Sequence, residues 1–233
     1  MKIQKEYFER DTHKVAYDLI GKKLVRYVDF MGKYYKLSGV IVETEAYGYN
    51  DDPASHAFKK KTDRNRIMYG DVGRVYVYFI YGNHYCFNIV AKNNGCAAGA
   101  ILIRSIQPIE GINLMRIFRR KDEIMELSSG PGKLTQAFKI TKKHNDVDIT
   151  DNNNNFLYLE EEEEEEEEVE RELYDVENIN YKKFKVFETC RIGISVALEK
   201  KWRFIMMNPK KRKTNSDKLD YIPNYFISKK VNF

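Results

Sequence analysis

The chain has 233 residues, 42% of them hydrophobic and 32% charged, which is enough apolar content for one full-sized domain with its own core and excludes an intrinsically disordered chain. Its formal net charge is +5, yet Glu160 to Glu168 is an unbroken run of nine glutamates, so the rest of the chain carries +14. A basic body favours a polyanionic partner, nucleic acid before an anionic membrane, although a merely soluble basic surface is the plainer reading of the same charge.

Three widely spaced cysteines (Cys86, Cys96, Cys190) form no C-x-x-C pair, which argues against a disulfide framework and a zinc knuckle and fits a reducing compartment. The opening MKIQKEYFER lacks the apolar core of a signal peptide, and the longest strongly apolar run, Val75 to Tyr81, is too short to cross a bilayer. An intracellular, soluble protein without a membrane partner is expected.

In chain order, Asp11-Thr12 predicts a capped helix through Val15 to Ile20, closed by Gly21. Strands follow at 23–29 and 34–46, joined at Met31-Gly32, and then a polar loop from Asp51 to Asn65 with room for one helical turn after Pro53. Residues 74–81 alternate as a strand, and Gly82-Asn83 turns the chain into a second strand at 85–90. Another strand spans 100–106, after which Pro108 is expected to open a helix through Leu114, Met115 and Phe118. Ser129-Gly130-Pro131-Gly132 predicts a turn and residues 133–139 a second helix. From about 151 to 180 the composition is that of a low-complexity acidic insert, which cannot bury enough apolar surface to order itself. Strand-like segments resume at Val186, with Arg191 to Val196 and then Trp202 to Ile205. The fold class expected is α+β: one mixed domain over 1–205, with a curved, largely antiparallel sheet and a hairpin flanked by helices, and a basic tail over 206–233.

Chemistry concentrates where the second strand ends, in VETEAYGYNDDPASHAF (Val42 to Phe58). Strand parity puts Glu43, Glu45 and Tyr47 on one face, with the carboxylates roughly 7 Å apart along the strand. Two carboxylates with Asp51 and Asp52 nearby suggest an acid/base pair or a metal site. An ion pair with Arg64 or Arg66 is the structural alternative, favoured for Glu43. Tyr76, Tyr78 and Tyr85 read as sheet packing, whereas Tyr81 borders the tight turn and should project. In a basic protein a projecting ring suggests stacking on bases, worth about 1–3 kcal/mol each, comparable to the few kcal/mol that flipping a nucleotide costs.

ETEAY (Glu43 to Tyr47), His56, RNR (Arg64 to Arg66), YVYFIYG (Tyr76 to Gly82), CFNI (Cys86 to Ile89), ILIRSIQPIEG (Ile101 to Gly111), SSGPGKLTQAF (Ser128 to Phe138) and RIGI (Arg191 to Ile194) occur in one order. That ordered set resembles the alkyladenine (3-methyladenine) DNA glycosylase family. The resemblance implies excision of alkylated and deaminated purines from duplex DNA by a monofunctional glycosylase, working as a monomer without metal or cofactor. It assigns Glu45 as the base that activates water, and Tyr47, His56 and Tyr78 as aromatic walls of the base pocket. Asn88 would oppose the exocyclic amine of normal guanine, Tyr81 would fill the gap left by the flipped nucleotide, and Arg104 would lie near its backbone phosphate. Glu43 becomes structural support.

Pro209-Lys210-Lys211-Arg212-Lys213 resembles a nuclear localisation signal, so a nuclear protein is expected, with mitochondria as a further destination. The rival classes are a metal-dependent nuclease using Glu43, Glu45, Asp51 and Asp52, and a non-catalytic nucleic-acid-binding module.

Overall fold

The computed structural model describes residues 1–80, 84–161 and 184–207. These form an α+β domain around one curled antiparallel sheet of eight strands: β1 (Lys23–Phe30), β2 (Lys33–Tyr47), β3 (Val75–Ile80), β4 (His84–Val90), β5 (Ala100–Glu110), β6 (Leu157–Glu160), β7 (Lys185–Thr189) and β8 (Arg203–Met207). The spatial order is β3-β4-β5-β2-β1-β6, with β8 pairing both β2 and β7. The helices are α1 (Thr12–Asp18), α2 (Ile112–Arg119), α3 (Ile124–Leu127) and α4 (Pro131–Ala137). Asp11 caps α1 as its sequence predicts, its side chain accepting from the His13 and Lys14 amides.

The fifteen-residue β2 organises the sheet. Along one edge it pairs with β5, while along the other its first half pairs with β1 and its end, Glu43 to Glu45, pairs with β8. Such a strand is flanked for its whole length, which is why its burial is nearly continuous from Leu37 to Ala46. Helix α1 packs on β2 and β5, and α4 on β4 and β5. The main core gathers Phe8, Phe87, Phe138 and Phe204, all fully buried, each contributing about 1.5–3 kcal/mol relative to exposure. A second, smaller core of Ala57, Met68, Tyr76, Val90 and Ala100 lies under the loop that follows β2.

Three expectations are corrected. Pro108 does not open a helix: β5 continues through it to Glu110, and the helix begins at Ile112 after Gly111, whose φ of +73° turns the chain. Pro108 faces Gly39 at a register shift, where a missing N–H is tolerated. Gly39 is needed there, since a Cβ would come within 2.4 Å of Ile106 Cγ2. Short α3 was not anticipated.

The expected insert does not begin at 151. Asn154 is buried and braces a turn, donating to the Asp148 and Leu157 carbonyls at 2.6 and 2.8 Å and accepting from the Phe156 and Leu157 amides. Leu157 and Leu159 then point inward in β6, which adds the first glutamate of the run to the sheet beside β1. Arg191 to Val196 is not a strand, and Ile192 and Val196 are exposed; its place is taken by β7, just before it. The 82–83 turn, Tyr81, the glutamates from 162 onward and the basic segment 209–213 lie outside the described residues.

Candidate active site

Two register slips shape the end of β2. Between Ile41 and Thr44 the pairing with β5 leaves Val42 on one strand and Arg104 on the other without an opposite residue. Bulges of this kind re-aim side chains. The result sets the Arg104 guanidinium between both glutamates, donating to Glu43 at 2.9 Å and to Glu45 at 3.2 Å. Glu43 also accepts from Arg203 of β8 at 2.5 Å. Glu43 is therefore ion-paired, with Arg104 and Arg203; Arg64 instead lies over the Tyr78 ring, 5.4 Å from its centroid.

Glu45 is fully buried, yet its carboxylate is well supplied with donors. The Tyr47 hydroxyl donates to Oε2 at 2.8 Å, alongside Arg104, and the Ile192 amide donates to Oε1 at 2.7 Å. Burial holds the Glu45 carboxyl above the usual carboxylate range, and Arg104 with the two hydrogen bonds offsets only part of that. Burial and the neighbouring carboxylate raise the Tyr47 phenol, so it stays protonated and serves as a donor.

A cavity of about 350 Å³ opens beside this carboxylate and is lined by Tyr47, His56, Tyr76, Tyr78, Asn88 and Arg104, among others. That volume suits a small planar ligand. His56, Tyr76 and Tyr78 pack as one aromatic wall, with ring centroids 4.7 Å apart for His56 and Tyr78 and 5.2 Å for the two tyrosines. Tyr47 lines the cavity too and carries the Arg191 guanidinium over its ring at 4.8 Å. His56 reaches the wall because Asn65 ties down its loop: Asn65 Nδ2 donates to the His56 and Lys60 carbonyls at 2.7 and 2.9 Å. Burial, reinforced by Arg64, lowers the His56 imidazole, so the ring is neutral at pH 7. Asn88 donates one N–H of Nδ2 to the Tyr76 carbonyl at 2.9 Å, which fixes its amide at the cavity wall.

The structure thus brings Tyr47, His56, Tyr78, Asn88 and Arg104 together as the lining of one cavity, with Glu45 completely buried behind it and joined to it through Tyr47 and Arg104. Arg104 lies within the site on two carboxylates, its side chain 11% exposed, rather than standing clear at a phosphate-facing surface. No lysine is among the described residues that line the cavity. Asp52 is buried in a two-pronged pair with Arg191, and Asp51 meets Lys200. The four acidic groups weighed as a metal cluster are therefore each held by a cation, Glu43 and Glu45 sharing Arg104, and among the described residues no three His, Cys, Asp or Glu side chains converge on a metal-sized site.

Reading the residues alone missed Tyr76, treated as sheet packing, and Arg191 and Ile192, placed in a strand. Only the order of the RIGI segment after the other motifs signalled their place at the site.

The description "Methylpurine-DNA glycosylase (MPG)" belongs to the family model that matches residues 6–210. A protein of Clostridium botulinum strain Langeland is 38% identical over 216 residues, covering 88% of this chain and 95% of its own. One of Alkaliphilus oremlandii is 39% identical over 222 residues, covering 90% and 98%. Both bear the name "Putative 3-methyladenine DNA glycosylase". No helix among the described residues is long and apolar enough to cross a membrane. With the match spanning most of the chain, the chain belongs to the methylpurine-DNA glycosylase family, whose members are DNA glycosylases, hydrolases of base-excision repair.

Proposed function

We propose that this chain removes alkylated and deaminated purines from duplex DNA by hydrolysing the N-glycosidic bond with a water activated by Glu45. The observation that carries the proposal is the buried Glu45 carboxylate, held by Tyr47, Arg104 and the Ile192 amide beside an aromatic cavity. A flipped purine enters between Tyr47 and the His56–Tyr76–Tyr78 wall. Electron-rich ring faces attract an N-alkylated, cationic purine by about 0.5–2 kcal/mol. Such a base is also a good leaving group, so the protein need supply little acid catalysis.

As the bond to C1′ breaks, the sugar gains oxocarbenium character, which the Glu45 carboxylate stabilises while it takes a proton from the attacking water. Arg104, as a fixed cation, favours the ionised base that this step requires. Asn88, fixed by its bond to the Tyr76 carbonyl, is proposed to oppose the exocyclic amine of normal guanine by occupying the space that group would need. The absence of lysine from the described lining favours a monofunctional enzyme that leaves an abasic site. A monomer acting on its own is part of the proposal. Tyr81 is proposed as the wedge that holds the base out, and the Pro209 to Lys213 segment as a nuclear import signal, with mitochondria as a further destination.

A panel of duplexes carrying hypoxanthine, 7-methylguanine, 3-methyladenine or ethenoadenine tests this. The expected products in EDTA are free base and abasic sites that become strand breaks only after alkali. Direct strand cleavage abolished by EDTA would replace the proposal with a nuclease. Binding without release of any base would replace it with a binding module.

A further inference from the structure

The proposed chemistry leaves one buried ionic pair without a task. The Arg191 and Asp52 side chains are both completely buried, with the guanidinium donating to the two carboxylate oxygens at 2.6 and 2.7 Å. Such a pair seldom adds stability over well-packed apolar side chains, because desolvating both charges offsets their attraction. Its contacts suggest what it does instead. Arg191 donates to the Ala46 carbonyl at 2.9 Å and lies over the Tyr47 ring, while Asp52 accepts from the Gly48 amide at 2.9 Å. Three consecutive residues after Glu45 are therefore held by this pair. On its other side Arg191 reaches the Trp202 ring at 5.3 Å, and Trp202 accepts from the Ala46 amide.

Between β7 and β8 the chain from Cys190 to Trp202 has no ladder bonds of a strand or helix to fix it. The fully buried Arg191 side chain anchors this loop to the end of β2, and the next amide, that of Ile192, is the donor to Glu45 Oε1. Where that N–H points is thus set by where Arg191 is held.

We propose that Arg191 and Asp52 are positioning residues, which clamp the 190–202 loop to the end of β2 so that the Ile192 amide orients the Glu45 carboxylate for attack by water. The proposal rests on Glu45 being the base. A hydrogen bond donated to a carboxylate favours its ionised form, so loss of the clamp affects both the orientation and the ionisation of Glu45.

The test is the double variant Arg191→Met with Asp52→Asn, which removes both charges together and leaves neither buried alone. Single-turnover release of hypoxanthine should fall about tenfold to a hundredfold, the worth of a hydrogen bond to a charged group. The acid limb of the pH–rate profile should move to higher pH, a change that loss of packing alone would not produce. Ile192→Pro deletes the same donor while keeping the clamp, and should move the limb in the same direction. A double variant that melts like the wild type and keeps its rate and its acid limb overturns the proposal. If the double variant does not fold, Ile192→Pro decides alone, and a wild-type limb there overturns it. A wild type that releases no base from any lesion is a different failure, that of the Glu45 assignment.

Discussion

Replacing Glu45 by glutamine separates the chemistry of the site from its architecture. The amide keeps the volume of the carboxyl but has one acceptor oxygen where the wild type has two. If that oxygen faces Tyr47 and Arg104, its NH₂ faces the Ile192 amide; if it faces Ile192, the NH₂ faces the Arg104 guanidinium. Either way one donor is left against another donor, at a cost of about 1–3 kcal/mol. Against this, the variant no longer buries a carboxylate whose ionisation the site disfavours, since burial raises the Glu45 carboxyl. The two effects oppose each other, so the net change should be small beside the 5–15 kcal/mol typical of a folded domain. Removing the base should cost roughly 10²- to 10⁴-fold in excision, which is about 3–5 kcal/mol of barrier. The assay is single-turnover release from a hypoxanthine duplex with enzyme in excess, followed by alkali, alongside duplex binding and a melting curve. The expected variant binds the lesion and melts near the wild type while releasing almost no base. Excision within a few fold of the wild type would refute the assignment of Glu45, however well the geometry fits.

Arg104→Gln should lower excision more at pH 6 than at pH 8. The arginine holds the Glu45 carboxyl down, so without it the carboxyl rises further and the base is protonated over more of the acidic range; equal losses at both pH values would deny Arg104 that role. Asn154→Ala should destabilise the fold by about 2 kcal/mol through the loss of buried hydrogen bonds, seen as a lower melting temperature with per-molecule activity intact; an unchanged melting curve would mean the turn does not depend on it. Tyr81→Ser should weaken lesion capture, and unchanged binding and excision would remove Tyr81 from the mechanism. A fluorescent fusion with Lys210, Lys211, Arg212 and Lys213 changed to alanine should lose nuclear accumulation, and unaltered distribution would end the import proposal.

Much of the site is local and therefore legible. Glu43, Glu45 and Tyr47 share a face because strand parity is a two-residue rule, and the structure joins Tyr47 to Glu45 by a hydrogen bond as that parity allows. The α1 cap and the ends of β1, β3 and β4 follow from equally short-range signals. The failures come from tertiary context. Pro108 is a good helix opener by composition, but a slip opposite Gly39 gives it a place in a strand. Asn154 looks like one more residue of a polar tract, and only the carbonyls around it show it to be a buried brace. Arg191 to Val196 alternates like a strand, but its arginine is drawn inward by Asp52, 139 residues away, while Ile192 and Val196 face out. That Glu43 meets Arg104 and Arg203 rather than Arg64 depends on two bulges that no local pattern announces.

The divided partnership of β2 has a consequence for when the enzyme becomes active. On the edge away from β5 its first half finds its partner in β1, but the half that carries Glu45 waits for β8, and the Ile192 amide that meets Glu45 lies 147 residues further along the chain. Contacts so distant in sequence form slowly, because a large loop must close before they reward it. A nascent chain emerging up to residue 180 holds the base and the residues of the aromatic wall but lacks the Ile192 donor to Glu45 and the partner of Asp52. Catalytic competence is thereby tied to the last part of the domain to be synthesised, and a prematurely terminated product would carry most of the pocket without a properly held base.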